Sequence, residues 1–410
     1  MNIFVINSGS SSIKYQLFRM PQENPVCSGL VERIGLEGSS ITHKTWKHGQ
    51  ELVTKESLTL ADHQAGLHEV ARLLTDPQIG VIANPEEIDA VGHRVVHGGE
   101  SFKATTIISE PIKEKIKELF SLAPLHNPAN YLGIEVAEKI FPNAKQIAVF
   151  DTAFHQTMPE KAYRYAIPAK FYTEKRIRAY GFHGTSHKYV SEQAMKKLNN
   201  PAAKIITIHL GNGCSMSAVE SGRSVDTSMG FGPVSGLIMG TRSGDIDASV
   251  IFHLIEQLGF SAQEVSNLLN KSSGMLGLTG FSDMRDIRKS ITAGNKEADL
   301  AYDLYAYRIK KMIGAYVAVL NGLDALVFTA GVGENDTEIR KRICSNLDFL
   351  GIDLDEVKNE MPQAGIREIN KENARVKIMV IPTNEELEIV KQCYELLTGE
   401  NASKAFLLAN

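Results

Sequence analysis

Two stretches of this chain share one grammar. Ile3-Phe4-Val5-Ile6 leads into Asn7-Ser8-Gly9-Ser10-Ser11-Ser12, and Ile13-Lys14-Tyr15-Gln16-Leu17-Phe18 follows. Much later, Ile205-Ile206-Thr207-Ile208 leads into His209-Leu210-Gly211-Asn212-Gly213-Cys214, and Ser215-Met216-Ser217-Ala218-Val219 follows. An apolar run, a turn of small residues and a second run predict a β-hairpin. Aligning Gly9 with Gly211 pairs Asn7 with His209, Ser10 with Asn212 and Ser12 with Cys214. Two hairpins of one pattern point to a duplicated domain.

The rest of the chain agrees with an α/β class. Buried strands are expected at Ile88–His93, Gln146–Phe150 and Ala325–Thr329. Helical periodicity marks Ile112–Phe120, Ala129–Ile140, His187–Leu198, Ser249–Leu258, Ala298–Leu320 and Glu385–Leu397. At roughly 150 residues per domain, 410 residues allow two or three domains. No Pro/Gly linker marks the crossing, which is placed after Phe150, where a strand ends.

Composition removes several function classes. Lys and Arg total 44 against 48 Asp and Glu, a net charge of −4. That balance argues against a nucleic-acid or membrane-surface protein. The four cysteines, Cys27, Cys214, Cys344 and Cys393, are far apart and show no zinc spacing, so free thiols in a reducing cytoplasm are expected. The start of the chain lacks the pattern of a signal peptide. No apolar stretch approaches the roughly 18 to 20 residues of a membrane span.

Two common nucleotide signatures are missing. There is no G-x-x-x-x-G-K-[ST]. Gly331-Val332-Gly333 has Asp336, and Gly211-Asn212-Gly213 has Met216, where a dinucleotide fingerprint needs its third glycine. What remains are three Gly-rich turns, each directly after an apolar strand: at Gly9, at Gly211–Gly213 and at Gly331–Gly333. Small residues let the backbone approach phosphate, and successive N–H groups make an anion nest. Ser10, Ser12 and Lys14 add hydroxyls and a cation. Together these favour a nucleotide or polyphosphate.

Several side chains suit the other half of a reaction. In Val91-Gly92-His93-Arg94-Val95-Val96-His97-Gly98-Gly99, an extended backbone points Arg94 and Val96 to one face. An arginine beside a valine suits a small ligand with a carboxylate and an alkyl end; the plain alternative is an exposed arginine on a strand edge. His93 and His97 read as structural. Asp151 stands just past a strand end, a ligand position in open α/β sheets and also a common turn position. Leu125-His126 and Phe182-His183 repeat an apolar residue beside a histidine, which either donates to phosphate or simply packs. Arg242, between Gly240 and Gly244, suggests a substrate-facing loop. Asp283-Met284-Arg285 either meets a nucleotide or caps the next helix. Thr383 and Glu386 form a capping-box pattern, which leaves Glu385 available for a magnesium-bound water.

These segments, taken with Phe150-Asp151-Thr152-Ala153-Phe154-His155, Gly181-Phe182-His183-Gly184-Thr185-Ser186-His187, Gly331-Val332-Gly333-Glu334-Asn335 and Thr383-Asn384-Glu385-Glu386, resemble the acetate kinase family across nearly the whole chain and in family order. The resemblance implies two duplicated ribonuclease-H-like (actin-like ATPase) domains with a nucleotide cleft between them. It implies that the C-terminal helix returns to the first domain, giving 1–150 plus 384–410 and 151–383. It implies reversible in-line phosphoryl transfer between Mg-ATP and acetate, with Mn²⁺ as an alternative metal, in a cytoplasmic homodimer.

By the same resemblance Arg94 and Arg242 hold the carboxylate and the transferring phosphoryl. Asp151 is the essential catalytic aspartate, in a polarising or orienting role rather than as a base, His183 the transition-state stabiliser and His126 a second donor. Val96, Leu125, Phe182 and Pro233 wall the methyl pocket. Asn7 and Glu385 take the metal. Ser10, Ser12, Lys14, His209, Leu210, Gly211, Asn212, Gly213, Asp283, Met284, Arg285, Gly331, Val332, Gly333, Glu334 and Asn335 serve the nucleotide. Two other readings stay open: propionate or butyrate as acceptor, and a non-enzymatic nucleotide-binding protein of the actin type.

Overall fold

The computed structural model describes residues 1–47 and 49–399. Residues 400–410, included in the first domain by the reading above, lie outside the described residues. The described residues form two compact units, Met1–Ala153 with the chain from Asn384 onward, and Phe154–Thr383.

The first unit carries eight strands. They are β1 (Asn2–Ser8), β2 (Ser12–Arg19), β3 (Pro25–Glu32), β4 (Ser39–Lys47), β5 (Gln50–Leu58), β6 (Ala90–Val95), β7 (Thr106–Ile107) and β8 (Lys145–Phe150). Their order is β5-β4-β3-β2-β1-β6-β8-β7. The first five strands form an antiparallel meander, and β1, β6 and β8 run parallel. Ile3 to Ile6 are buried without a break, as expected of a strand covered on both faces. On one face Phe4 meets Tyr15 and Phe141. The helix Glu385–Thr398 packs on β6 where Gly92 has no side chain. A methyl at Gly92 would stand 2.8 Å from Cys393 Sγ and 3.0 Å from Ile389 Cγ2.

The second unit repeats the plan with β9 (Lys204–Leu210), β10 (Cys214–Glu220), β11 (Arg223–Thr227), β12 (Ala325–Thr329), β13 (Arg367–Glu368) and β14 (Lys377–Val380). Its order is β11-β10-β9-β12-β14-β13. Again three antiparallel strands lead to two parallel ones, and a short antiparallel edge strand closes the sheet. The segment β3-β2-β1-β6-β8-β7 matches it strand for strand. This is the ribonuclease-H-like order, present once in each unit; β4 and β5 are an addition to the first.

The expected hairpins are β1/β2 and β9/β10, and the expected strands and helices are present with ends moved by a few residues. One expectation fails. Gly331–Gly333 is not a turn but part of a short helix, Ala330–Asn335, entered from β12 through Ala330 at φ +64°. The four cysteines are free and buried. No helix among the described residues is long and apolar enough to cross a membrane.

Candidate active site

The first unit gathers charged groups at the carboxyl ends of β6 and β8. Pairing sets Arg94 beside Val149 and Val95 beside Phe150. Asp151 continues past the end of β8, its N–H donating to the Val95 carbonyl. Arg94 Nη2 donates to Asp151 Oδ2 at 2.5 Å, and Arg94 Nε lies 3.4 Å from Glu385 Oε2. The guanidinium is thus held between two carboxylates, with Asp151 almost fully buried. Burial, with Asp151 and Glu386 nearby, pushes the Glu385 carboxyl up to about 7 against the pull of Arg94 and Lys14.

Buried amides fix the surrounding backbone. Asn130 accepts from the Val96 N–H and donates to the Ser8 carbonyl. Asn127 accepts from the His97 N–H and donates back to the His97 carbonyl. These bonds tie the helix Asn127–Ile140 to the ends of β1 and β6, and His126 stands at its N-cap. Val96 is buried at 6 % exposure, whereas Leu125 is 61 % exposed and stands in solvent. His93 and His97 are structural as expected: His93 Nε2 is 2.7 Å from Gln146 Oε1, and His97 Nδ1 accepts from the Gly99 N–H.

One expectation at the last helix is corrected. The cap of the last helix is Asn384, which accepts from the Leu387 N–H; Thr383 forms no capping box with Glu386. Glu386 is instead paired with Lys14 at 2.7 Å. The pair is possible because Lys14 sits opposite Asn7 in the β1/β2 register, facing the start of that helix. Ser10 is exposed and Ser12 half-buried at the hairpin turn, where the Gly9 N–H donates to the Ser12 carbonyl.

The second unit holds a cavity of about 550 Å³. Gly211, Asn212, Asp283, Met284, Arg285, Gly331, Val332 and Asn335 line it, all of them nucleotide candidates. His209, Leu210, Gly213, Gly333 and Glu334 do not. Leu210 and Gly333 are buried beneath it, and Glu334 accepts from the Thr383 N–H. Asp283 does both things considered for it: it caps the helix Met284–Thr292 and faces the cavity. Gly240, Met275, Ser282, Arg288, Tyr305 and Asp336 also line the cavity and were missed. Gly240, Ser282 and Asp336 carried a signal, by standing next to segments already singled out.

Beneath the cavity Arg340 is fully buried. It donates to the carbonyls of Gly333 and Glu334, to the Asn359 carbonyl and to Asn359 Oδ1. It therefore anchors the short helix that presents Gly331 to Asn335. Burial lowers its pKa to about 10, which leaves it charged at neutral pH.

His183 stands at the N-cap of the helix Gly184–Leu198. Its ring stacks on His209 at 4.3 Å, and its Nδ1 is 2.8 Å from Ser215 Oγ. A methyl at Gly213 would lie 3.3 Å from His183 Nε2 and 3.6 Å from Arg242 Nη1, so His183 and Arg242 flank one glycine. Arg242 Nη1 donates to the Pro233 carbonyl at 3.0 Å, which links the loop of Pro233 to the same place. Phe182 is buried next to His183, and Pro233 is half-buried.

A family model described as the acetokinase family matches residues 2–391. The chain belongs to that family. It is 58 % identical to an acetate kinase of Flavobacterium johnsoniae over 97 % of this chain and 100 % of that one. It is 50 % identical to an acetate kinase of Methanosarcina acetivorans, covering 98 % of each. Among solved structures, an acetate kinase of Porphyromonas gingivalis superposes with a TM-score of 0.90 at 44 % identity, over 97 % of this chain and 100 % of that one. A propionate kinase of Francisella tularensis gives 0.88, also at 44 %, over 95 % and 98 %. Membership makes this chain an ATP-dependent phosphotransferase with a carboxylate as acceptor and a requirement for a divalent cation.

Proposed function

We propose that the chain is an acetate kinase, transferring the γ-phosphoryl of Mg-ATP directly to acetate and reversing the reaction from acetyl phosphate and ADP. The observation that carries the reading is Arg94, held by Asp151 at a strand end beside buried Val96. An oriented guanidinium recognises a carboxylate, and a valine leaves room for only a short alkyl group.

Acetate is already ionised at neutral pH, so no base is needed. Asp151 serves by orienting Arg94 and holding its charge in place. Phosphoryl transfer depends on positioning and on neutralising charge. In this reading Arg242 and His183 supply the charge at the transferring group, with His126 a second donor. Val96, Phe182 and Pro233 contact the methyl end, and the cavity bounded by Asn212, Asp283 and Gly331 takes the nucleotide.

Glu385 fits a divalent cation: burial, with Asp151 and Glu386 nearby, raises its carboxyl to about 7 despite Arg94 and Lys14, and a further cation there would favour its ionised form. No cluster of three or more His, Cys, Asp or Glu residues among the described residues could hold a metal. A cation bound through Glu385 and Asn7 would complete its shell with phosphate oxygens and water, the habit of Mg²⁺. When bound it would neutralise phosphate charge. The reading includes a reducing, cytoplasmic setting, with which four buried free cysteines agree, and a homodimer, which rests on the family resemblance alone.

The deciding assay supplies Mg-ATP and acetate and traps acetyl phosphate with hydroxylamine. Absence of product at high acetate would refute the reading. A second acceptor, propionate, is favoured by the similarity to a propionate kinase. A series of kcat/KM values from acetate to butyrate separates the two, since one methylene is worth ~1–3 kcal/mol in such a pocket.

A further inference from the structure

His183 is the first of four hydrogen-bonded groups. Its Nδ1 lies 2.8 Å from Ser215 Oγ. Ser215 Oγ is also 2.8 Å from His187 Nε2, and His187 Nδ1 is 2.7 Å from Thr207 Oγ1. Thr207 Oγ1 in turn reaches the backbone carbonyl of Ser217 at 3.4 Å. Ser215, His187 and Thr207 are fully buried. The helix Gly184–Leu198 places His187 one turn after His183, and β9 and β10 supply the two hydroxyls.

Each hydroxyl has one proton to give, and a carbonyl has none. The Ser217 carbonyl therefore directs the Thr207 proton to itself, and Thr207 Oγ1 accepts from His187 Nδ1–H. His187 is neutral, because burial holds its pKa well below the usual value and His155 and His209 add to this. Its Nε2 is bare and accepts from the Ser215 hydroxyl. Ser215 Oγ is then left to accept from His183 Nδ1–H.

We infer that Thr207, His187 and Ser215 are a relay of positioning residues that locks neutral His183 in its Nδ1–H tautomer, with the ring's lone pair on Nε2, on the side of Gly213 and Arg242. The opposite arrangement would put the proton on Nε2 and make Nδ1 an acceptor, so a second proton on the ring would break the bond to Ser215. The relay as found lets His183 become an imidazolium with every bond in the chain intact. The kinetic consequence rests on the proposed role of His183 at the transferring phosphoryl; the tautomer itself does not.

The test is ¹⁵N NMR of the full-length protein labelled at histidine, with His183→Gln used to assign the resonance. Neutral His183 is expected to carry its proton on Nδ1. Thr207→Val removes the acceptor of His187 Nδ1–H, two groups away from His183, and is expected to move the His183 proton toward Nε2. It should lower kcat by roughly tenfold with little change in KM for acetate. Thr207→Ser keeps the hydroxyl and should restore both spectrum and kcat. Ser215→Ala, which breaks the chain at its first link, gives a second route to the same loss should Thr207→Val fold poorly. Finding the neutral proton on Nε2 in the unaltered protein would overturn the relay. So would a folded Thr207→Val whose His183 tautomer is unchanged. A shifted tautomer with unchanged kcat would uphold the relay and remove His183 from the chemistry instead.

Discussion

Arg94 Nη2 and Asp151 Oδ2 meet at 2.5 Å, the arginine from the last turnings of β6 and the aspartate from the first residue after β8. Adjacent parallel strands bring the two side chains together, and the buried carboxylate fixes the plane of the guanidinium. A free arginine would have to be ordered when substrate arrives; this one is ordered beforehand.

Arg94→Ala is therefore expected to lose at least tenfold in kcat/KM for acetate, at least ~1.4 kcal/mol of transition-state stabilisation. Asp151→Asn, which keeps the shape and removes the charge, should lose activity too. The double variant should fall by less than the product of the two single losses, because the residues act as one unit. Near-normal kinetics of folded Arg94→Ala would take it out of the site.

Val96→Ala enlarges the buried space beside Arg94. Activity on propionate relative to acetate should rise by about tenfold, within the range of one methylene in an apolar pocket. An unchanged ratio would show that Val96 is no part of the acyl pocket.

Gly240 lines the cavity of the second unit, and a methyl there would stand 2.2 Å from Asn212 Oδ1. Gly240→Ala must displace Asn212 from the cavity wall. KM for ATP is expected to rise by about tenfold while KM for acetate holds, a loss of ~1.4 kcal/mol in nucleotide binding. Equal effects on both substrates would point to general damage rather than to this wall.

Acid should destabilise the protein before it reaches carboxylate pKa values. Burial holds His43, His93 and His97 of the first unit at about 4 instead of 6.5. Between those values the unfolded chain binds more protons, so stability falls as pH falls from about 6.5 to 4. At pH 5 each histidine accounts for about 2 kcal/mol of that loss. Asp226 in the second unit, raised to about 6 by burial, works oppositely and loses stability as pH rises from 3.8 to 6. Buried His187 of the second unit acts in the same direction as these rings and Glu385 of the first unit in the opposite one, and thermal melts at pH 7.5 and pH 5 should show a lower Tm in acid. A Tm that does not move would contradict the burial of these rings.

The periodic parts of the chain were legible. The two hairpins, the strands at Gln146–Phe150 and Ala325–Thr329 and the long helix through Ala298–Leu320 announce themselves by runs of apolar residues, and burial is what shapes those runs. Interactions that depend on which way a side chain leans were not. Glu386 fits the spacing of a capping box, yet a distant strand offers it Lys14, and an ion pair replaces the cap. Leu125, expected from the resemblance as a pocket wall, is exposed in its own unit, a degree of burial that its neighbours in sequence do not reveal. Gly331–Gly333 reads as a turn since glycine favours turns, but Arg340 gathers its carbonyls into a helical turn from below. The partners of His183 are single serines, threonines and histidines inside strands and helices, where no local pattern sets them apart from ordinary core residues.

The close seat of Cys393 and Ile389 on Gly92 makes the last helix part of the first sheet's packing. A ribosome releases residues in order, so β6 waits for that cover until nearly the whole chain has emerged. The second unit, whose residues are all contiguous, is complete earlier. During synthesis the half of the molecule that begins first is therefore the half that closes last, and until then one face of β6 lacks its cover.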